Sequence, residues 1–164
     1  MRFSALGKTV SSALPAPEEP AMVAGADAYV LLVEDSSNDA LLLRDALKQS
    51  GASTDLRQAR SLNEAHEALR RGPGRPACLI VDLDLPDGDG LSLIDWMHEN
   101  QPASTAPVIV LSGAPDLVGA AMSRRRASVV LEKPTTLDGY QRLADVLVRL
   151  LGSAGAKRPG PGAS

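Results

Sequence analysis

An apolar run that ends on an acid is the feature that most constrains the fold of this chain. Residues 78–81 (Cys-Leu-Ile-Val) are apolar and are followed by Asp82, and residues 83–90 then bring one proline, two glycines and three further acids. An apolar run of this length that stops at turn-forming residues predicts a buried β-strand. Asp82 then lies at the carboxyl end of that strand, which is where open parallel α/β sheets bind ligands.

The same pattern, a short apolar run followed by a stretch of helical periodicity, repeats about five times along the chain. The predicted strands are 29–33, 54–58, 78–82, 107–111 and 129–131, and the predicted helices are 39–50, 61–71, 89–100, 116–125 and 137–151. The first, third and fourth strands are apolar throughout, which favours a parallel sheet covered by helices on both faces. The sequence therefore predicts a doubly wound α/β fold.

Length and composition indicate one domain with an aliphatic core. The 164 residues are 44% apolar but only 2% aromatic, and the net charge of −3 gives no sign of nucleic-acid or membrane binding. No apolar run approaches the roughly 20 residues of a membrane helix, so we expect a cytoplasmic protein. Residues 1–27 and 152–164 are rich in Ala, Pro, Gly and Ser and are expected to be disordered extensions around a domain at 28–151.

Polar residues follow four of the predicted strands. They are Glu34 and Asp35 after the first, Asp82 at the end of the third, Ser112 after the fourth and Lys133 after the fifth. Parallel strands bring these ends to one edge, where each pair of carboxylates about 5 Å apart would repel by roughly 3 kcal/mol at an effective dielectric of 20. Mg²⁺ and a lysine would offset this repulsion, and a carboxylate with such neighbours can act as a nucleophile toward a phosphoryl group.

Four motifs, in this order, resemble the receiver domain of two-component response regulators. They are Leu-Leu-Val-Glu-Asp-Ser at 31–36, the stretch 79–90, Val-Ile-Val-Leu-Ser-Gly at 108–113 and Glu-Lys-Pro at 132–134. The resemblance covers about residues 29–151. It implies a flavodoxin-like sheet of five parallel strands in the order 2-1-3-4-5, flanked by five helices.

The resemblance also implies roles for the residues of the edge. Asp82 matches the phosphoacceptor, and Glu34, Asp35 and Asp82 match the Mg²⁺ ligands, completed by the backbone carbonyl of Asp84. Ser112 and Lys133 match the hydroxyl and the lysine that contact the phosphoryl group.

Further matches concern the lifetime of the phosphoryl group and the surface that would contact a partner protein. Asp84 and Ala114 occupy the two variable positions that tune dephosphorylation, and the bond before Pro134 is expected to be cis. Val130 departs from the family, which usually has an aromatic residue there. A basic run forms a candidate partner surface near the fourth helix, fifth strand and last helix. That run is Arg124, Arg125 and Arg126.

These matches predict a stand-alone receiver that takes a phosphoryl group from a sensor histidine kinase or a histidine phosphotransfer protein. It would signal to an unidentified protein by contact or onward phosphotransfer, and its only catalysis would be phosphorylation and dephosphorylation of its own aspartate. Two alternatives stay open. One is a phosphorylation-independent scaffold, which Val130 favours; the other is a phosphatase of the haloacid-dehalogenase type, which the Asp82-Leu83-Asp84 sequence resembles.

Overall fold

The computed structural model describes residues 29–72, 75–100, 106–114, 119 and 129–155. In these residues, seven strands and four helices follow one another along the chain. The strands are β1 (Tyr29–Val33), β2 (Asp55–Ala59), β3 (Cys78–Asp82), β4 (Asp84–Leu85), β5 (Gly88–Asp89), β6 (Val108–Ser112) and β7 (Val129–Glu132). The helices are α1 (Ser37–Gln49), α2 (Leu62–Arg71), α3 (Gly90–Asn100) and α4 (Leu137–Gly155).

Five of the strands form one sheet in the order β2-β1-β3-β6-β7, and all of its neighbouring strands are parallel. This is the 2-1-3-4-5 order that the sequence predicts, and the doubly wound fold is confirmed. The chain order therefore places the carboxyl ends of β1, β3, β6 and β7 side by side along one edge of the sheet. The remaining two strands, β4 and β5, form a small antiparallel hairpin that the sequence analysis missed.

Apolar side chains fill both faces of the sheet. One core cluster joins Val30, Leu32, Cys78 and Ile80 to α1 and α4. The other joins alternate residues of the same strands to α2 and α3. Every residue of β1, β3 and β6 is buried, as expected for central strands covered on both faces.

Serine side chains and a glycine cap the ends of α1 and α2. The Ser36 side chain accepts a hydrogen bond from the Asp39 amide at 3.2 Å, and Gly51 ends α1 with a positive φ of 73°. Ser61 caps α2 through the Glu64 amide at 3.1 Å. The Glu64 carboxylate accepts from the Arg60 amide at 2.8 Å, one residue before the position that a standard capping box uses.

Two predictions about the ends of the elements need correction. Helix α4 continues to Gly155 rather than ending at Leu151, because a glycine such as Gly152 weakens a helix without ending it. The peptide bond before Pro134 is trans, like all others of the described residues, so the prediction of a cis bond is wrong. The trans form of an X–Pro bond is favoured by about 0.5–1 kcal/mol.

Several predicted features lie outside the described residues. They are the extension 1–27, the tail from residue 156 onward, the helix at 116–125 apart from Gly119, and the basic run Arg124, Arg125 and Arg126. None of the described helices is long and apolar enough to cross a membrane.

Candidate phosphoryl-acceptor site

Three buried polar residues mark the carboxyl edge of the sheet. Glu34 and Asp82 are each 2% exposed and Ser112 is 1% exposed, and they are the polar residues that the described part of the chain buries. They stand on the adjacent strands β1, β3 and β6, either at the last residue or directly after it. Because burying polar groups costs free energy unless they are hydrogen-bonded, their partners show what holds this edge together.

Each of the three accepts a hydrogen bond from the backbone two residues further on. The Ser36 amide donates to Glu34 Oε1 at 3.0 Å and the Asp84 amide donates to Asp82 Oδ1 at 3.0 Å. The Ala114 amide donates to Ser112 Oγ, also at 3.0 Å. Such short-range turns suit acids and serines that follow strands, and they fix each side chain at the edge.

Lys133 supplies the positive charge of the site. Its Nζ donates to Asp82 Oδ2 at 2.7 Å and pairs with Glu34 Oε2 at 2.8 Å. The backbone places it there, because the Lys133 amide donates to the Ser112 carbonyl at 2.8 Å and continues the pairing of β7 with β6. Lys133 therefore reaches both acids at this edge, and the trans bond to Pro134 does not prevent it.

Burial and pairing act in opposite directions on the ionisable groups. Burial raises the pKa of Glu34 to about 7, against the opposing effects of the Lys133 hydrogen bond and the Ser36 amide. Burial alone would lower the pKa of Lys133, but its hydrogen bonds to Asp82 and Glu34 outweigh burial and raise that pKa. The ammonium is therefore held in its charged form by the two acids.

Three carboxylates are arranged as a cation site. Oxygens of Glu34, Asp35 and Asp82 all lie within 4.8 Å of one another, and Asp35 is exposed to solvent. An all-oxygen set with one open side suits Mg²⁺, which keeps several waters and takes few carboxylates. When bound there, the ion would neutralise charge on phosphoryl oxygens. Asp84, whose carbonyl is the other expected ligand, lies in the exposed strand β4 at the same edge.

Ser112 is at the predicted place, but its hydroxyl is engaged locally. Its Oγ donates to the Ala114 carbonyl at 2.8 Å. Ala114 and Asp84 occupy equivalent positions, since each uses its amide to bind the side chain two residues before it. Val130, in β7, is half-buried and packs against the core cluster on the α2 and α3 side of the sheet.

Four residues around the site were not singled out from the sequence. Asp39 lies 3.3 Å from Lys133 Nζ, and Tyr140 is buried in the core cluster between α1 and α4. The Gln58 amide donates to the Glu34 carbonyl at 2.8 Å. The fourth, Gly90, approaches the Asp82 backbone so closely that a Cβ there would overlap it. The sequence feature that could have pointed to Asp39 is its position five residues after Glu34. This feature is not specific, because acids are common in the first turn of a helix, where the helix dipole favours them.

The fold and this edge define a doubly wound α/β domain with a buried acid–lysine pocket. The chain belongs to the response regulator receiver domain family, whose model matches residues 30–144. Phosphorylation on an aspartate and Mg²⁺ binding are typical of that family.

Individual relatives agree with this assignment. The chain is 32% identical over 120 residues to the response regulator protein PilR of Pseudomonas aeruginosa, covering 73% of this chain and 26% of PilR. It is 29% identical over 145 residues to the photosynthetic apparatus regulatory protein RegA of Rhodobacter capsulatus, covering 88% and 72%. The chain thus spans about a quarter of the length of PilR.

A solved structure also resembles it. The Mn²⁺-bound form of response regulator Rcp1 matches with a TM-score of 0.64 and 25% identity, covering 83% of this chain and 99% of that chain.

Proposed function

We propose that Asp82 accepts a phosphoryl group from a phosphohistidine of a sensor kinase or a histidine phosphotransfer protein. The observation that carries this proposal is the buried Asp82 carboxylate, with Lys133 Nζ at 2.7 Å and the oxygens of Glu34 and Asp35 within 4.8 Å. In the transfer, a P–O bond to Asp82 forms while the donor's P–N bond breaks. The imidazole keeps the electron pair and takes up a proton.

Each residue of the site would have a separate role in the transfer. Lys133 stabilises the charge that develops on the phosphoryl oxygens. Glu34, Asp35, Asp82 and the Asp84 carbonyl would hold Mg²⁺, and the Ser112 hydroxyl would turn from Ala114 to a phosphoryl oxygen. An open groove next to Asp35, bordered by the β4–β5 hairpin, leaves room for the donor to approach.

We test the acceptor by intact-protein mass spectrometry after incubation with Mg²⁺ and phosphoramidate. We expect one phosphoryl adduct in the wild type, and none in Asp82→Asn or without Mg²⁺. Asp45→Asn is the matched control, since Asp45 is exposed on α1 and is not one of the clustered acids, and it should retain the adduct. An adduct that persists in Asp82→Asn would overturn the assignment.

A failure to see any adduct would be resolved with beryllofluoride, which mimics a phosphoryl group without turnover. Shifts of backbone amide signals near residues 82, 112 and 133 would show a working pocket with a short-lived phosphoryl group. No shift at all would reject the proposal in favour of a phosphorylation-independent scaffold.

We also propose that Asp84 and Ala114 set how long the phosphoryl group lasts. Their amides bind the side chains of Asp82 and Ser112, so both residues lie directly beside the acceptor and the hydroxyl. Exchanging both residues should change the dephosphorylation rate constant, measured by the decay of the adduct. An unchanged rate constant would refute this role.

The output would be contact with another protein, or onward transfer of the phosphoryl group to a second histidine. The chemistry on this chain would be confined to its own aspartate. Support comes from the family, because receiver domains are signalling domains.

A further inference from the structure

The carboxylate of Asp87 connects the β4–β5 hairpin to the start of α2. The Leu62 amide donates to Asp87 Oδ1 at 2.8 Å, and the Asn63 amide donates to Asp87 Oδ2 at 3.0 Å. Leu62 and Asn63 begin α2, where backbone amides have no acceptor within the helix. Asp87 follows them by 25 and 24 residues in the chain and lies between β4 and β5. The start of α2 is therefore capped by a distant part of the chain.

The local cap of α2 binds other amides. The Ser61 hydroxyl accepts from the Glu64 amide at 3.1 Å, and the Ser61 carbonyl accepts from the Ala65 amide at 3.0 Å. The amides of Leu62 and Asn63 are thus left to Asp87, whose negative charge the helix dipole also favours. The hydrogen bond from Leu62, with that from Asn63, holds the pKa of Asp87 below its ordinary value.

The hairpin that Asp87 anchors is short and mostly exposed. Each of its strands has two residues, and all four are exposed except Leu85, which is partly buried against the core cluster on the α2 and α3 side. Gly88 lies close to α2, since a Cβ there would be 2.9 Å from Leu62 Cδ1. The same hairpin carries Asp84, whose amide binds Asp82 Oδ1 at 3.0 Å. A movement of the hairpin would therefore move a residue of the site.

We propose that Asp87 is a positioning residue for the phosphoryl-acceptor site. By binding the start of α2, its side chain holds the β4–β5 hairpin where the Asp84 amide reaches Asp82. This first step is a property of the unphosphorylated protein without metal. The second step rests on the proposed function. Because the hairpin also carries the Asp84 carbonyl, the Asp87 contacts keep that carbonyl in place for Mg²⁺ and strengthen Mg²⁺ binding.

Mg²⁺ binding and the Asp87 contacts must affect each other equally. If the contacts strengthen Mg²⁺ binding by a given factor, Mg²⁺ strengthens the contacts by the same factor. The loss of hydrogen bonds of this kind corresponds to roughly a two- to tenfold change in affinity. Mg²⁺ should therefore protect the amides of Leu62 and Asn63 from exchange with water.

Three variants separate the Asp87 contacts from the effects of a weaker helix end and of lost charge. Asp87→Ala removes both acceptor oxygens. Ser61→Ala removes the local side-chain cap of α2 and leaves the hairpin unchanged. Asp89→Asn removes one negative charge from the same hairpin, while its remaining side-chain oxygen can still accept the hydrogen bond from the Leu91 amide.

The first measurement is amide exchange with water, followed by NMR in metal-free protein. In Asp87→Ala the amides of Leu62, Asn63 and Asp84 should all exchange roughly two- to tenfold faster. The Asp84 amide should keep its wild-type rate in Ser61→Ala, because Asp87 still binds the start of α2, and in Asp89→Asn. A wild-type rate for Asp84 in Asp87→Ala, or an equal increase in Ser61→Ala, would overturn the positioning role.

The second measurement is a Mg²⁺ titration of the unphosphorylated protein, followed by the same amide signals. Asp87→Ala should raise the Kd for Mg²⁺ by roughly two- to tenfold relative to both controls. Saturating Mg²⁺ should slow exchange at Leu62 and Asn63 in every protein except Asp87→Ala. Equal Kd values for Asp87→Ala and Asp89→Asn would reduce the effect to charge and overturn the second step. If the wild type binds no Mg²⁺, the proposed function fails, while the metal-free exchange rates still decide the positioning of the hairpin.

Discussion

The last residue of β1 and the residue that follows the strand are both buried, yet they contribute to the protein in opposite ways. Val33 is 0% exposed and lies among aliphatic side chains, whereas the next residue, Glu34, is 2% exposed and faces two other acids and a lysine. Burying Val33 is favourable by itself because apolar area leaves water. Burying Glu34 is unfavourable until Lys133 and the Ser36 amide bind it. The interior of the sheet thus supplies the stability that lets its carboxyl edge hold charges in place.

The largest loss of stability is expected for a substitution in the apolar interior of the sheet. Ile80 is fully buried in the central strand β3, so Ile80→Ala should lower the free energy of unfolding by about 2–5 kcal/mol through lost burial and a cavity. Leu137→Ala is the control, because that side chain is 71% exposed, and it should change stability by less than about 0.5 kcal/mol. Urea denaturation measures both. Equal effects of the two variants would contradict the prediction that a buried side chain of the interior contributes more to stability than an exposed one.

A somewhat smaller loss of stability is expected for a substitution at the carboxyl edge of the sheet. Lys133→Met removes the ammonium and leaves Glu34 and Asp82 buried without an opposite charge. In metal-free buffer this should lower the free energy of unfolding by about 3 kcal/mol, and millimolar Mg²⁺ should restore part of the loss by occupying the same acids. Lys48→Met, at an exposed position in the last turn of α1, should be nearly neutral. Unchanged stability of Lys133→Met would mean that the edge does not depend on its lysine.

The same contrast explains how much of the fold could be predicted from the sequence. Strands β1, β3 and β6 were located to within one residue because their apolar runs are continuous and end sharply. The half-exposed strand β2 was also displaced by only one residue. The β4–β5 hairpin was missed because strands of two residues have no periodicity to detect.

The site was predictable only where it follows from chain order. Glu34, Asp82, Ser112 and Lys133 stand at strand ends, and a parallel sheet brings strand ends to one edge whatever the details of packing. The contact of Asp39 with Lys133 could not be foreseen in this way. It depends on how α1 is rotated against the sheet, because Asp39 lies in the first turn of that helix.

The smallest of the three expected losses of stability concerns Gly90, which lies where the apolar interior of the sheet meets its carboxyl edge. Gly90 begins α3, and its amide donates to the Leu83 carbonyl at 3.1 Å. A Cβ there would overlap the carbonyl oxygen of Asp82 and lie 2.7 Å from Val81 Cγ1. Gly90→Ala should therefore lower the free energy of unfolding by about 1–3 kcal/mol.

Gly152→Ala is the matched control for this prediction. Gly152 is also helical, but nothing lies within 4 Å of an added Cβ, so the variant should be more stable by roughly 0.5–1 kcal/mol. Urea denaturation of the two variants separates steric overlap from helix propensity, because propensity alone would stabilise both. A stabilised Gly90→Ala would contradict the close approach of α3 to the end of β3. The opposite signs that we expect would show that the strand end carrying Asp82 is held by the packing of the interior as well as by its charges.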